Sequence, residues 1–231
     1  MKARLLEKFS RAPSIDSFRF MPAEPFTFLP GQFVRVVFDP VDESNSALNK
    51  YLSLSSPPGR ECFELTKRLS DSRFSQRLRS LKRGDEVFFQ GPMGTCVFRP
   101  EYTNIGILAG GVGITPAISI IEHIADNNLK TRVCLLYSTS DVRDTAFRNE
   151  LEALTKNVNI EVSFTVDEPA RKQEPLSWRI SRELIAGKMA GFKQEVIFIF
   201  GPPAMVKAMA ALCKDMGCPA GKLRQESFVG Y

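Results

Sequence analysis

The sequence changes rhythm near residue 100, and that change leaves few architectures open to the chain. Beyond Pro100, apolar runs alternate with amphipathic ones: NIGILAG, TPAISIIEHIADN, RVCLLYSTS, DTAFRNELEALTK, NIEVSFTV, SRELIAGKMA, EVIFIFG and AMVKAMAALCKDMG. Strands alternating with helices of this length predict βαβ units, and so a parallel sheet with helices on both faces. The near-continuous apolar runs VIFIF and CLLY suit strands covered on both sides. Before residue 100 the pattern is different. FRFMP, GQFVRVVFDP, YLSLSSPP, CFELTKRL and DEVFFQGPMG are short and rich in aromatic or β-branched residues, with Pro or Gly at the ends of most. About six such strands, with one helical interruption at Ser75–Leu81, predict a small antiparallel Greek-key β-barrel whose closure hides the strand edges. The expected organisation is a barrel domain over residues 1–99 and an α/β domain with a parallel sheet over residues 100–231.

Composition narrows the function classes. Of 231 residues, 43% are hydrophobic and 25% charged, ordinary proportions for a globular chain. No run of about 18 apolar residues offers an integral membrane segment, and MKARLLEKFSRAP lacks a secretory pattern, so a cytoplasmic protein is expected. The five cysteines (62, 96, 134, 213, 218) are scattered without zinc or iron–sulfur spacing, so no metal is expected. The net charge of +5 suits anionic phosphates or an acidic protein partner. Its basic residues are spread out apart from a denser patch at Lys67–Arg83, and no aromatic-interleaved basic helix points to nucleic acid.

GILAGGVGITPAISII reads as strand, glycine turn, helix. Glycines in such a turn let backbone amides approach a pyrophosphate closely. Pro116 suits the first helical turn, and Thr115 is expected to cap the helix and offer its hydroxyl to a ligand. Pro116 stands where the usual GxGxxG fingerprint has its third glycine. FIFGPPAMVKAM supplies a second strand–turn–helix, so two turns would flank one crevice at the carboxyl ends of parallel strands. His123, the sole histidine, has no carboxylate or serine partner in sequence and reads as structural. Met189, Met205, Met209 and Met216 read as helix packing.

Four stretches in order carry a resemblance over almost the full length: KYLSLSS, ELTKRLSDSRFSQRLRSLKRGDEVFFQGPMG, AGGVGITP, and GPPAMV followed by ESFVGY. Together they resemble the ferredoxin–NADP reductase superfamily. The resemblance implies a flavin-binding barrel and a nicotinamide-binding α/β domain. It places Lys50, Tyr51, Leu52 and Ser53 at the flavin, with Lys50 and Leu52 standing where the family has Arg and Tyr, and Ser53 near the flavin N5. It implies that Thr66, Lys67, Arg73, Phe74 and Ser75 serve the flavin phosphates or adenine, with Ser72 in place of a glycine; this points to FAD. Gly110, Gly111, Gly113, Thr115, Pro116, Gly201 and Pro202 would hold the nicotinamide dinucleotide, and Phe200 replaces the family's cysteine. Glu226 would help deliver a proton, and a terminal aromatic, Tyr231, would stack on the flavin. After strand LLYSTS, Asp141 favours a ribose 2′-hydroxyl while Ser138 and Arg143 favour a 2′-phosphate, so the cofactor is NADPH or NADH with a slight lean to NADPH. The implied activity is hydride transfer from NAD(P)H to FAD and onward passage of electrons to a redox protein such as ferredoxin or flavodoxin. A free-flavin or quinone reductase, and an electron-transfer subunit without independent turnover, stand as alternatives.

Overall fold

The computed structural model of the chain describes residues 1–166, 180–189 and 196–228. Tyr231 lies outside them. The first part is a six-stranded antiparallel sheet built from β1 (Lys2–Ala12), β2 (Ile15–Pro22), β3 (Phe33–Val37), β4 (Asn49–Ser53), β5 (Phe63–Arg68) and β6 (Glu86–Met93). The strand order is β4-β3-β6-β1-β2-β5, and a bridge between Leu54 and Leu65 joins the two outer strands, so the sheet curls into a barrel. Its interior packs aliphatic residues around a phenylalanine cluster, in which Phe20, Phe63 and Phe89 meet with ring centroids 5.0–5.7 Å apart.

The helical interruption is α1 (Arg73–Ser80). It begins two residues ahead of the expected Ser75, because Ser72 caps it by accepting a hydrogen bond from the Ser75 amide. The serine that replaces a family glycine therefore has a structural role of its own. β1, the longest strand, belongs to none of the runs quoted for the barrel. Its sequence, KARLLEKFSRA, is full of good helix formers, and bulges between Leu5 and Glu7 and between Ser10 and Ala12 interrupt its in–out alternation.

The second part is a five-stranded parallel sheet of β7 (Asn104–Gly110), β8 (Arg132–Thr139), β9 (Ile160–Val166), β10 (Val196–Gly201) and β11 (Leu223–Ser227), in the order β11-β10-β7-β8-β9. Helices α2 (Ile114–Asp126), α3 (Arg148–Leu154), α4 (Arg182–Lys188) and α5 (Pro203–Asp215) cover it. One buried cluster packs α2 and Leu151 of α3 on the sheet, and the opposite one packs Ile185 of α4 and the buried side of α5. The first cluster also takes in Ala12, Ile15, Cys96 and Phe98, so the barrel and the α/β part share apolar core. Arginines reinforce this seam. Arg11 pairs with Glu150, Arg60 with Glu122 and Asp126, and Arg68 with Asp144. Among the described residues, each ion pair across the seam has its cation on the barrel.

Candidate active site

The parallel sheet reverses its winding between β7 and β10, since the chain moves outward through β8 and β9 and then returns to the other side of β7. Ligands of such sheets bind outside the strand ends at this reversal. The two expected turns, Gly110–Gly113 after β7 and Gly201–Pro202 after β10, both lie there. Their glycines answer to packing as much as to backbone freedom. A Cβ on Gly113 would collide with the Phe200 carbonyl oxygen and lie 2.6 Å from its carbon, while one on Gly201 would meet Met205 Sδ at 2.8 Å. Gly111 alone in this turn has positive φ, +54°, and apart from its chain neighbours no atom of the described residues lies within 4 Å of the Cβ position.

Thr115 does not cap α2. The cap residue is Gly113, and Thr115 Oγ1 donates instead to the Val112 carbonyl at 3.0 Å, which ties the turn to the helix. Pro116 sits in the first helical turn as expected. Phe200 offers no surface to a ligand: its ring is wholly buried against Phe198, 5.8 Å between centroids. A residue at this position therefore adds to the core here, whatever its counterpart does in the family.

A cleft of about 500 Å³ opens between this sheet edge and the barrel. Of the sequence-derived candidates it gathers Lys50, Tyr51, Leu52, Ser53, Thr66, Lys67, Thr115 and Glu226. Phe33, Val112 and Phe228 also line it; Phe228 was within reach of the sequence, inside ESFVGY, whereas Phe33 carried no signal. Tyr51 is 60% exposed, with its ring edge on Phe33 and the Arg35 guanidinium 5.9 Å above it. Leu52 leans on the barrel core. Thr66 reaches the cleft only as part of the wall, because its hydroxyl shares hydrogen bonds with Ser17 (2.7 Å) and Ser55 (2.8 Å).

Other candidates lie apart from this cleft. Phe74 is fully buried against Phe38 in the barrel core, and Ser75, also buried, shares its hydroxyl with Ser70 and Ser72. Arg73 is exposed on α1. Ser138 is buried at the end of β8, and Arg143 stands in the short turn beyond it. Asp141 grips Arg143 at two points, Nε to Oδ1 at 3.1 Å and Nη2 to Oδ2 at 2.6 Å. That bond holds the Asp141 carboxyl down at about 2.

Two features of the cleft fit a large polar anion. Ser53 Oγ is buried and makes no hydrogen bond within the described residues, an arrangement that costs stability unless a ligand supplies the partner. Lys50 and Lys67 stand on the same wall, and burial, followed by the Lys50 charge, lowers the Lys67 pKa. An arriving phosphate would relieve that repulsion. Across from them, burial pushes the Glu226 carboxyl up to about 7. The residues present therefore fit FAD.

The sequence of the barrel part matches the oxidoreductase FAD-binding domain over residues 2–98, and the α/β part matches the oxidoreductase NAD-binding domain over residues 107–211. The chain belongs to the ferredoxin–NADP reductase superfamily. It is an NAD(P)H-dependent flavin oxidoreductase. It is 28% identical to NADH-cytochrome b5 reductase 1 of Aspergillus terreus over 97% of this chain and 81% of that one. It is 29% identical to the glycine betaine monooxygenase reductase subunit of Chromohalobacter salexigens, over 93% of this chain and 60% of that one. Among solved structures, its fold matches the cytochrome b5 reductase domain of Ulva prolifera nitrate reductase with a TM-score of 0.82 and 24% identity, covering 97% and 96% of the two chains. Among the described residues no helix is long and apolar enough to cross a membrane, and no cluster of His, Cys, Asp or Glu is placed to hold a metal ion.

Proposed function

We propose that residues 1–99 hold FAD along β4 and β5, that residues 100–231 hold the nicotinamide dinucleotide at the β7–β10 turns, and that the protein passes electrons from NAD(P)H to a separate redox carrier. The observation that carries this reading is the buried, partnerless Ser53 hydroxyl in a cleft that also contains Thr115 and the proton-holding Glu226. Bound FAD would accept a hydride and release its electrons singly, the chemistry that cofactors supply in such enzymes. The protein's part is placement. Ser53 would donate its hydroxyl to the flavin ring, and Lys50 and Lys67 would offset the phosphate charge. Glu226, whose carboxyl burial pushes up to about 7, would hold a proton on the far wall. The Gly110–Gly113 turn would bring backbone amides to the dinucleotide pyrophosphate.

The acceptor is a protein such as ferredoxin, flavodoxin or a cytochrome. The relatives' names, which include reductases of cytochrome b5 and a reductase subunit of a monooxygenase, support this class. For the donor, the two-point Asp141–Arg143 pair supports NADH over the NADPH favoured by sequence, since the cation that would meet a 2′-phosphate is already engaged by a carboxylate. The test is direct. Purified protein should bind FAD and reduce ferricyanide with NADH at higher kcat/KM than with NADPH. A protein that takes up no FAD on reconstitution would overturn the reading.

A further inference from the structure

One face of α2 carries Thr115, Ser119, Glu122 and Asp126. Spacings of four, three and four residues place them in a single stripe along the helix. The barrel segment from Ser53 to Arg60 meets this stripe step by step. Ser53 shares the cleft with Thr115. The Ser56 carbonyl accepts a 2.7 Å hydrogen bond from Ser119 Oγ, with both residues buried. Arg60 then reaches Glu122 at 3.1 Å and Asp126 at 2.8 Å.

The surroundings are apolar, with Ile118, Ile121 and Ile124 of the same helix in the cluster that spans the seam. Apolar contact is non-directional and tolerates sliding. A buried hydroxyl–carbonyl bond is satisfied in one register only, and leaving such a group unpaired costs about 1–3 kcal/mol. The glycine turn sits at the amino end of this helix, and Ser53 sits at the start of the segment bonded to it.

We propose that this polar stripe sets the spacing between the barrel wall at Ser53 and the dinucleotide turn, and that Ser119 is a positioning residue for hydride transfer. The inference rests on the reading of the protein as an NAD(P)H–FAD reductase. Ser119 touches neither cofactor site, so its removal should spare binding and slow transfer, whereas a binding residue would do the reverse.

The experiment compares the parent with Ser119→Ala, Ser119→Thr and Arg60→Gln. Ser119→Ala should keep its FAD content and hold its NADH dissociation constant within about twofold, while stopped-flow flavin reduction slows on the order of 10- to 100-fold. Ser119→Thr, which keeps the hydroxyl, should recover to within about threefold of the parent, with Arg60→Gln slowed less than Ser119→Ala. A second readout uses apoprotein. Amide exchange at residues 54–56 and 117–122 should accelerate together in Ser119→Ala, because one bond joins them. Parental flavin reduction by Ser119→Ala, or faster exchange on only one side of the seam, overturns the proposal. Should Ser119→Ala fail to fold, parental reduction by Arg60→Gln overturns it instead. A parent that binds no FAD would defeat the underlying reading, and the apoprotein exchange would still decide whether the stripe couples the two segments.

Discussion

The two halves of the molecule present their candidate binding surfaces by opposite means. The barrel uses side chains: Lys50, Ser53 and Lys67 project from β4 and β5 into the cleft. The α/β part uses backbone, with a turn in which Gly113 leaves no room for a Cβ against the Phe200 carbonyl. Charge divides the same way. Residues 1–99 hold 16 of the 31 Lys and Arg and 11 of the 26 acids, so the barrel half carries the whole net charge of +5. A surface written in side chains can change residue by residue and keep its fold, and here it has, with Lys50 and Leu52 at positions where the family resemblance implies Arg and Tyr. A surface written in backbone fails when a glycine packed on other backbone, as Gly113 is, is replaced.

The comparison breaks most visibly at Gly113. Gly113→Ala forces a Cβ onto the Phe200 backbone, which cannot give way. It should cost on the order of 3 kcal/mol in denaturant unfolding and weaken NADH binding about 100-fold or more. If titration shows NADH affinity within a few fold of the parent, the turn is not the rigid clamp described. The counterpart in the barrel is Ser53→Ala, for which flavin reduction should slow about 10- to 100-fold. Yet removing an unpaired buried hydroxyl should leave apoprotein stability unchanged or raised by about 1 kcal/mol. A variant that is destabilised without FAD would mean that Ser53 has a structural partner.

The pH dependence of stability sharpens the contrast further. Glu226 and Glu122 start from 4.5, and burial carries both to about 7 in the folded chain, against the opposing Arg60 charge at Glu122. The folded state thus holds more protons between those values, and their contribution to stability falls as pH rises from about 4.5 to 7 and is flat above. In apoprotein unfolding, Glu226→Gln should remove part of that slope, on the order of 1–3 kcal/mol across the window. An unchanged slope would place Glu226 in contact with water.

Two smaller effects follow. Asp141→Asn frees Arg143 and should shift the NADPH/NADH ratio of kcat/KM about fivefold toward NADPH; no shift would remove this pair from cofactor choice. Lys50→Arg should tighten FAD by about two- to threefold in a fluorescence titration, since a planar fork meets phosphate better than an ammonium.

Much of the architecture was legible because periodicity is a physical signal. β7, β8, β9 and β10, together with α2 and α5, fall where the alternation put them, and the turns at Gly110–Gly113 and Gly201–Pro202 meet at the sheet reversal. What escaped were features fixed by tertiary contacts. β1 hid behind helix-forming residues and two bulges. The burial of the Phe200 ring depends on what packs over β10, and the Thr115 hydroxyl is taken by a carbonyl three residues back. Nor does sequence reveal that Asp141 and Arg143, weighed as rival readers of the ribose, are bound to each other. The same holds for Arg11, whose guanidinium pairs with Glu64 and Glu150 and stacks 4.3 Å from the Phe147 ring.

The apolar cluster that runs from Ala12 and Ile15 through Phe98 into α2 has a bearing on inheritance. Families assembled from separable modules can exchange one half by recombination when the junction is a linker. Here the junction is solid, and its cations and acids are assorted by side. A transplanted barrel would have to bring arginines that answer the recipient's carboxylates, together with apolar residues that answer its helix. A barrel without that matching seam would fold and yet fail to seat on the α/β half.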